Sequence, residues 1–270
     1  MTNQFAAYNL SQPILDALTL LGYTTPTPIQ EAVIPAALNG RDIAARSQTG
    51  TGKTLAFAVP ICEKAVWEEN LPQALVLEPT RELAVQVSRE LFQVGRKKRL
   101  KVPAVFGGFP IDKQIRTLKQ KSHIVVGTPG RVMDHLRRGS LCLSTVRFLV
   151  IDEADLMLDM GFLEDVQQIL SMLPNHRTTF LFSATLDGQE LTEAAVSEAV
   201  FISMEDEVKA PPAIEQSVYQ VLQEEKYGGF KNILIKENPD RCMIFCGTRE
   251  MVNVLLQKLK RDRIFCGMIH

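Results

Sequence analysis

The amino-acid sequence predicts an α/β fold, in which a doubly wound parallel sheet carries helices on both faces. Short, nearly continuous apolar runs alternate along the chain with longer segments whose apolar residues recur at helical spacing. Apolar strands of this kind are typical of a parallel sheet that is covered on both sides. With 46% hydrophobic and 23% charged residues, the chain also has enough apolar side chains to build a folded core, which excludes a disordered protein.

Six short apolar runs are predicted to be the strands of this sheet. They are residues 42–45, 74–77, 102–106, 124–126, 146–151 and 179–182. Between them, residues 54–67 and 81–92 carry apolar side chains at helical spacing, and they are predicted to be helices that pack on the sheet.

A change in composition after Met204 predicts the end of a first domain, residues 1–204. Residues 205–216 are charged and then rich in proline, which favours a linker. Residues 217–270 are predicted to begin a second domain of the same type, with strands at 218–222, 242–246 and 264–269 and helices from Tyr227 and at 249–259. Because such a domain uses roughly 100 to 150 residues, we expect this second one to be incomplete in the chain.

Charge and cysteine content narrow the class of protein. The 30 Lys and Arg residues nearly balance 31 Asp and Glu residues, so any nucleic-acid site must be local rather than spread over the surface. No apolar run approaches the roughly 18 residues of a membrane span, and the first residues lack the pattern of a signal peptide. The five cysteines are scattered, which predicts a reducing cytoplasm rather than a disulfide framework.

A glycine-rich turn between a predicted strand and a predicted helix is a candidate phosphate site. Backbone N–H groups at such a helix N-terminus can hold phosphate oxygens, while Lys53 would reach the β- and γ-phosphates and the Thr54 hydroxyl would bind Mg²⁺. The usual pattern begins with glycine, and Ser47 stands at that position here. The alternative is an ordinary helix entry, although a lysine in the first turn opposes the helix dipole. The candidate residues are Ser47, Gln48, Thr49, Gly50, Thr51, Gly52, Lys53 and Thr54.

Three acidic residues follow the apolar strand predicted at 146–151. The ends of parallel strands face the ligand crevice, so Asp152 is suited to hold Mg²⁺ and Glu153 is suited to orient water or act as a general base. The alternative is a solvated acidic loop that caps the next helix, whose first turn favours negative charge. Asp155 completes the set.

Two threonines, Thr80 and Thr128, are each predicted to lie at a strand end just before a helix. Threonine is a good N-cap, and Pro129 suits a first helical position, so helix capping is one interpretation. The other is that two exposed helix N-termini, with Arg81 and Arg131 beside them, form a track for sugar-phosphate oxygens.

Taken together, these residues resemble the DEAD-box RNA helicases. The signature is Asp152-Glu153-Ala154-Asp155, and Phe5 precedes by 17 positions a segment, residues 22–30, that is similar to the family's adenine-reading Q motif. The other matching segments are Ser47–Thr54, Pro79-Thr80-Arg81-Glu82-Leu83-Ala84, Gly107-Gly108, Thr128-Pro129-Gly130-Arg131 and Ser183-Ala184-Thr185. The resemblance implies a P-loop, RecA-like parallel sheet with helices on both faces, followed by an incomplete second domain of that type.

The resemblance also implies ATP and Mg²⁺ as ligands. Phe5 would stack on adenine, and the Gln30 amide could donate to and accept from the N6/N7 edge of the base. Tyr23 belongs to the same implied set of ATP-binding residues. From its sequence context alone, Gln30 could equally be a buried amide that caps a turn. Lys53, Thr54, Asp152, Glu153, Asp155, Ser183 and Thr185 are the residues implied to support hydrolysis, and the hydroxyls of Ser183 and Thr185 are expected to bond Asp155.

Single-stranded or duplex RNA is the further partner that the resemblance implies. The chain would contact mainly the sugar-phosphate backbone of the RNA, so binding would be independent of base sequence. The resemblance further implies a monomer that acts without a membrane, alongside ribosomal or RNA-processing proteins. The glycines would let the RNA backbone approach closely. The residues implied are Pro79, Thr80, Arg81, Gly108, Thr128, Gly130 and Arg131.

The sequence leaves the activity of this particular chain open. The family's late arginine motif, His-Arg-x-Gly-Arg-x-Gly-Arg, does not occur in the 270 residues, so we expect weak ATP binding and background turnover. One alternative is therefore a non-catalytic ATP- and RNA-binding module, acting as a fragment, a decoy or half of a split enzyme. Another alternative, a P-loop kinase or a DNA-directed ATPase, is disfavoured by the segments at 22–30 and 79–84.

Overall fold

The computed structural model describes residues 3–47, 50–185, 195–196, 198–204, 215 and 217–269. It divides the chain into two compact units, residues 1–210 and 211–270. The predicted linker at 205–216 lies outside the described residues except for Glu215.

The first unit contains a parallel sheet of seven described strands, which confirms the predicted fold class. The strands are β1 (Ile43–Arg46), β2 (Ala74–Leu77), β3 (Ala104–Val105), β4 (Ile124–Gly127), β5 (Phe148–Ile151), β6 (Thr178–Ser183) and β7 (Val200–Ser203). Their order across the sheet is β3-β4-β2-β5-β6-β1-β7. All six predicted strands of this unit form, although β3 is shorter than expected, and β7 was not predicted.

Eight described α-helices surround this sheet. They are α1 (Gln12–Leu20), α2 (Pro28–Leu38), α3 (Lys53–Lys64), α4 (Arg81–Gly95), α5 (Ile111–Leu118), α6 (Pro129–Arg137), α7 (Ala154–Asp159) and α8 (Leu163–Met172). The predicted helices at 54–67 and 81–92 correspond to α3 and α4. No described helix is both long enough and apolar enough to cross a membrane.

Two cores lie on opposite faces of the sheet because successive strand side chains alternate in direction. On β2, Val76 belongs to the core that includes side chains of α1, α2, α3 and α4, whereas Leu77 belongs to the core that includes α6, α7 and α8. Val150 and Ile151 divide in the same way on β5. Helices therefore cover both faces, and the loops at the carboxyl ends of the strands are left to form a site.

The second unit contains two described α-helices, α9 (Lys226–Glu237) and α10 (Arg249–Arg261), close to the predicted positions. Asp262 joins them, because its carboxylate lies 2.8 Å from Lys231 Nζ and accepts a 3.0 Å hydrogen bond from Tyr227 Oη. The strands predicted at 218–222, 242–246 and 264–269 were wrong: none of the described residues there is in a strand. An apolar run forms a strand only where a neighbour pairs its N–H and C=O groups, and Phe245 and Phe265 are instead exposed.

Candidate active site

The glycine-rich turn joins β1 to the first residue of α3. Gly50 and Gly52 both have left-handed backbone conformations, with φ of 87° and 98°, and Gly52 is the N-cap residue of α3. The Ser47 and Thr51 hydroxyl oxygens are 2.6 Å apart, so the serine that replaces the usual glycine is part of the hydrogen bonding within the turn. Gln48 and Thr49 lie outside the described residues.

Lys53 connects this turn to the acidic cluster after β5. Its Nζ atom lies 2.6 Å from Glu153 Oε1 and 3.5 Å from Asp152 Oδ1. All three side chains are largely buried. The two acids thereby offset the unfavourable position of a lysine at a helix N-terminus. The structure therefore places the two segments in one crevice, with Thr54 half-buried beside Lys53.

Burial and neighbouring charges both shift the pKa values of Lys53 and Asp152. Burial lowers the pKa of Lys53, but the charges of Asp152 and Glu153 outweigh it and hold that pKa above its ordinary value. Burial raises the pKa of Asp152 to about 6, although Lys53 acts in the opposite direction. Both pKa values are raised, but by opposite causes: the two acids dominate for Lys53, whereas burial dominates for Asp152, which is the more deeply buried acid and shares one ammonium with Glu153.

The backbone at Glu153 is strained. Its φ of 50° and ψ of 51° place a non-glycine residue in the left-handed region, a conformation that costs about 1–3 kcal/mol. The Asp152 carboxylate accepts a 2.9 Å hydrogen bond from the Glu153 N–H, which supports this turn. In this conformation Glu153 Oε1 accepts a 2.6 Å hydrogen bond from Lys53 Nζ.

Asp155 connects the acidic cluster to the end of β6. Its Oδ2 accepts hydrogen bonds from the backbone N–H groups of Ala184 at 3.1 Å and Thr185 at 3.2 Å. The expected contact with Asp155 is therefore present, but among the described residues backbone amides make it rather than the hydroxyls of Ser183 and Thr185. Backbone donors are available at any strand end, and the sequence could not show which group would reach the acid.

Gln30 connects α2 to the glycine-rich turn after β1, which is the predicted phosphate turn. Its Nε2 donates to Gly52 O at 3.1 Å, its Oε1 accepts from Thr27 N at 3.0 Å, and Thr27 Oγ1 donates to Thr51 O at 2.9 Å. The side chain is buried, with 3% exposed. Here the structure favours the interpretation of Gln30 as a buried amide that caps a turn, and it adds a direct contact with the phosphate turn.

Phe5 does not present a face for stacking, which corrects the sequence-based expectation. It lies in a short 3₁₀ helix, Gln4–Tyr8, is fully buried in the core and meets the Tyr8 ring edge-on at 6.1 Å. The reason is that an apolar ring with core neighbours gains more from burial than from exposure. Tyr23 is 42% exposed, and its carbonyl accepts a 3.0 Å hydrogen bond from Asn3 Nδ2.

The predicted RNA-binding residues follow β2, β3 and β4. Thr80 is the N-cap of α4, and its hydroxyl accepts a 3.3 Å hydrogen bond from Leu83 N, whereas Thr128 is the N-cap of α6 without such a bond. Pro79 is buried, and Gly130 lies in the first turn of α6. The sheet edge is thus divided: β1, β6 and β5 carry the phosphate turn and the acids, and β2, β4 and β3 carry these residues.

The two arginines differ in their surroundings. Arg81 is exposed and lies over the Phe106 ring at 5.1 Å, next to Gly108, whose φ is 75°. Arg131 is mostly buried and donates from Nη1 to Phe109 O at 2.9 Å. Arg131 therefore holds the loop after β3, while Arg81 remains accessible.

Sequence reasoning missed residues that support this loop. His135 is fully buried between the hydroxyl of Ser140, 2.8 Å from Nδ1, and the amide of Gln114, whose Oε1 is 3.1 Å from Nε2. The Gln114 amide nitrogen in turn donates to Phe106 O at 3.0 Å. The sequence carried no signal for this network, because its contacts depend on how α5 and α6 pack against each other. Gly127 was also missed. A side chain at this position would crowd β3, because a Cβ there would lie 2.6 Å from a Val105 methyl group.

Glu78, which the sequence interpretation also passed over, follows β2 and is fully buried. Burial first, and then the charges of Asp152 and Glu153, raise the pKa of its carboxyl well above the ordinary value. Neither carboxylate oxygen has a hydrogen-bond partner among the described residues.

The fold defines a class of protein, the RecA-like α/β domains, in which helices cover both faces of a parallel sheet. The model of the DEAD/DEAH box helicase family matches residues 27–194. The chain belongs to that family, which confirms the resemblance seen in its motifs.

Relatives and solved structures agree with this assignment. The chain is 51% identical over 270 residues to the ATP-dependent RNA helicase DbpA of Bacillus subtilis, covering 99% of this chain and 56% of the relative. It is 41% identical to the DEAD-box ATP-dependent RNA helicase CshA of Geobacillus kaustophilus, covering 94% of this chain and 55% of the relative. The chain thus spans about half the length of the curated relatives it matches. A crystal structure of a DEAD box protein from Methanococcus jannaschii aligns with a TM-score of 0.71 and 39% identity, over 97% of this chain and 71% of that one.

Proposed function

We propose that this chain binds ATP with Mg²⁺ at the β1–β6–β5 edge and RNA at the β2–β4–β3 edge, as part of an ATP-dependent RNA helicase that unwinds short duplexes. The observation that carries the proposal is the position of Lys53, whose ammonium meets Asp152 and Glu153 across the crevice. Such a site joins a cation for phosphate oxygens to acids suited to metal and water. The family membership and the names of the relatives support the choice of ATP and RNA.

The residues present fit Mg²⁺. This ion prefers oxygen ligands, and it usually takes one or two carboxylates together with substrate phosphates and water. Asp152 and Thr54 would hold it, and the described residues contain no cluster of three or more side chains that would form a closed metal site by themselves. When bound, Mg²⁺ neutralises charge on the phosphate oxygens.

The chain's own residues divide the remaining tasks. When Lys53 moves from Glu153 to the phosphates, the Glu153 carboxylate becomes free. It can then orient a water molecule or accept a proton from that water. The hydrogen bonds from Ala184 and Thr185 to Asp155 link this event to the end of β6. Gln30 supports the phosphate turn through Gly52. Its contact with adenine remains a prediction.

RNA is held, in this proposal, by groups that face its backbone. Arg81 is exposed beside Gly108, and the N-termini of α4 and α6 offer backbone N–H groups to phosphates. Binding of this kind does not depend on base sequence.

Nucleotide titrations test the ATP-binding part of the proposal. A fluorescent ATP analogue should bind the chain in Mg²⁺, and binding should be lost in Lys53→Ala and retained in the surface variant Lys97→Ala. Failure of the wild-type chain to bind ATP would overturn the proposed function. Gln30→Ala should reduce the preference for ATP over GTP, and an unchanged preference would remove Gln30 from base recognition.

Turnover is a separate question, and the motif content favours a binding module over an autonomous enzyme. An arginine supplied late in related phosphoryl transfers is worth roughly 10³ to 10⁵ in rate, and the corresponding motif does not occur in this sequence. We therefore propose that the chain alone hydrolyses ATP at background rates. RNA-stimulated hydrolysis equal to that of a full-length relative, measured by phosphate release, would contradict this.

A further inference from the structure

Glu78 is a buried acid for which the proposed chemistry has given no role. It is the residue after β2, its side chain is fully buried, and neither carboxylate oxygen meets a donor among the described residues. A charged carboxylate is costly in such a place, so the group either holds a proton, as its raised pKa indicates, or finds a partner. The acid at this position can therefore exchange its proton for a partner that binds later.

The register of the sheet places Glu78 beside the proposed metal ligand. Leu77 of β2 is aligned with Ile151 of β5, so Glu78 and Asp152 are the next residues on two adjacent parallel strands. Val76 and Val150, two residues earlier on each strand, both belong to the core that includes α3 and α4. Because strand side chains alternate, Glu78 and Asp152 point to that same face, on which Lys53 begins α3.

The electrostatic interactions of Glu78 also indicate that it lies beside Asp152. The Glu78 carboxyl interacts electrostatically with Asp152, Glu153 and Lys53, so one ammonium serves three acids in this crevice. Lys53 is within 4 Å of Asp152 and Glu153 and is not within salt-bridge distance of Glu78 among the described contacts. Once Lys53 contacts phosphates, the three acids lack a positive charge of their own.

A hydrated divalent cation is the ligand that fits this arrangement. Mg²⁺ keeps several of its water molecules when it binds a protein, and each bound water donates hydrogen bonds to surrounding acceptors. Such outer partners commonly change metal affinity by 10- to 100-fold. Glu78 has two unpartnered acceptor oxygens beside Asp152, and both are covered in this structure. Water bound to the ion would reach them once Lys53 has moved to the phosphates, which fits contact through water rather than direct coordination.

We propose that Glu78 determines the Mg²⁺ dependence of ATP binding, because its carboxylate accepts hydrogen bonds from water molecules bound to the Mg²⁺ that Asp152 holds. The inference rests on the proposed function, since it requires that ATP and Mg²⁺ bind in this crevice. Glu78 is in this view a positioning residue that acts through water and does not itself touch the reacting phosphate.

The test is a titration of ATP binding with Mg²⁺ on the full chain. The variant Glu78→Gln keeps the shape and removes the charge, and Glu164→Gln makes the same charge change at an exposed position on α8. With a fluorescent ATP analogue, the free Mg²⁺ concentration at half-maximal binding should rise about 10-fold in Glu78→Gln and stay unchanged in Glu164→Gln. Binding of the analogue in EDTA should be equal in all three proteins.

Each other outcome is decisive. Equal Mg²⁺ midpoints for wild type and Glu78→Gln would overturn the inference while leaving the proposed function intact, as would a change in thermal stability without a change in midpoint. No binding by the wild-type chain at any Mg²⁺ concentration would overturn both. Glu78→Asp, which keeps the charge but withdraws it by one methylene group, provides a second variant, and its midpoint should rise as well.

Discussion

The ammonium of Lys53 lies 2.6 Å from the carboxylate of Glu153, although the two residues are 100 positions apart in the sequence. In this arrangement the cation suited to phosphates and the acid suited to water neutralise each other. Binding of a nucleotide must therefore exchange one partner of Lys53 for another. The pair is a structural element of the crevice as well as a part of its proposed chemistry.

Removal of the lysine should consequently affect stability as well as binding. Lys53→Ala leaves Asp152 and Glu153 without their buried cation, and breaking such a pair from one side costs about 3 kcal/mol. We expect lost ATP binding together with a lower free energy of unfolding, measured by urea denaturation. The double variant Lys53→Met/Glu153→Gln should recover part of the stability and none of the binding. Wild-type stability in Lys53→Ala would show that the pair contributes nothing to the fold.

Asp152 should make stability and ligand binding depend on pH in opposite directions. Its pKa is about 6 in the folded protein against an ordinary 3.8, so between these values the folded chain keeps a proton that the unfolded chain has released. The contribution of Asp152 to stability therefore falls as pH rises through this window. Affinity for ATP with Mg²⁺ should rise over the same window, because the ionised carboxylate is the better metal ligand.

The measurement is urea unfolding at several pH values between about 4 and 7, with the variant Asp152→Asn as reference. The difference in unfolding free energy between wild type and variant should shrink or change sign as pH rises. A difference that is constant with pH would refute the assignment of this titration to Asp152.

The sequence predicted the phosphate turn and the acids because both follow apolar strands, and parallel strands bring their carboxyl ends to one edge of a sheet. It did not predict β7, where Phe201 is 67% exposed and the strand lies at the sheet edge, so the apolar pattern is weak. It placed strands at 242–246 and 264–269 because local apolarity cannot show whether a pairing neighbour exists.

Side-chain partners were harder to predict than positions. Phe5 was expected to stack on a base, yet its ring is fully buried, although the adjacent Gln4 N donates to Thr24 O at 2.9 Å. Glu78 gave no signal in the sequence, because an acid after a strand is usually solvated. The depth of a side chain depends on the packing of distant segments, which local sequence does not determine.

Two glycines of the phosphate turn allow a matched test of space against backbone strain. Gly50 and Gly52 both have positive φ, so alanine at either costs about 1–2 kcal/mol of strain. A Cβ at Gly52 would also lie 2.5 Å from Gln30 Nε2 and 3.0 Å from Thr27 Oγ1, whereas at Gly50 no described atom lies within 4 Å. Gly52→Ala should therefore be the more destabilising in thermal unfolding. Equal losses would show that Gln30 is not held against the turn.

The loop after β3 offers a test of the proposed RNA site that spares the ATP site. The amide oxygen of Gln114 is hydrogen-bonded to His135, and its amide nitrogen donates to Phe106 O. Arg131 donates to Phe109 O in the same loop. Because a hydrogen bond of this kind contributes about 1 kcal/mol, Gln114→Leu should weaken single-stranded RNA binding about fivefold.

Fluorescence anisotropy with a short labelled RNA, in Mg²⁺ and a non-hydrolysable ATP analogue, measures this effect. ATP affinity should remain at the wild-type value, since Gln114 contacts nothing described on the β1–β6–β5 side of the edge. Gln168→Leu is the matched control, because Gln168 is an exposed glutamine that bonds Arg137 on the surface. If Gln114→Leu bound RNA like Gln168→Leu, the loop after β3 would not need its buried support, and RNA contact would have to be sought at Arg81 and the N-terminus of α4 alone.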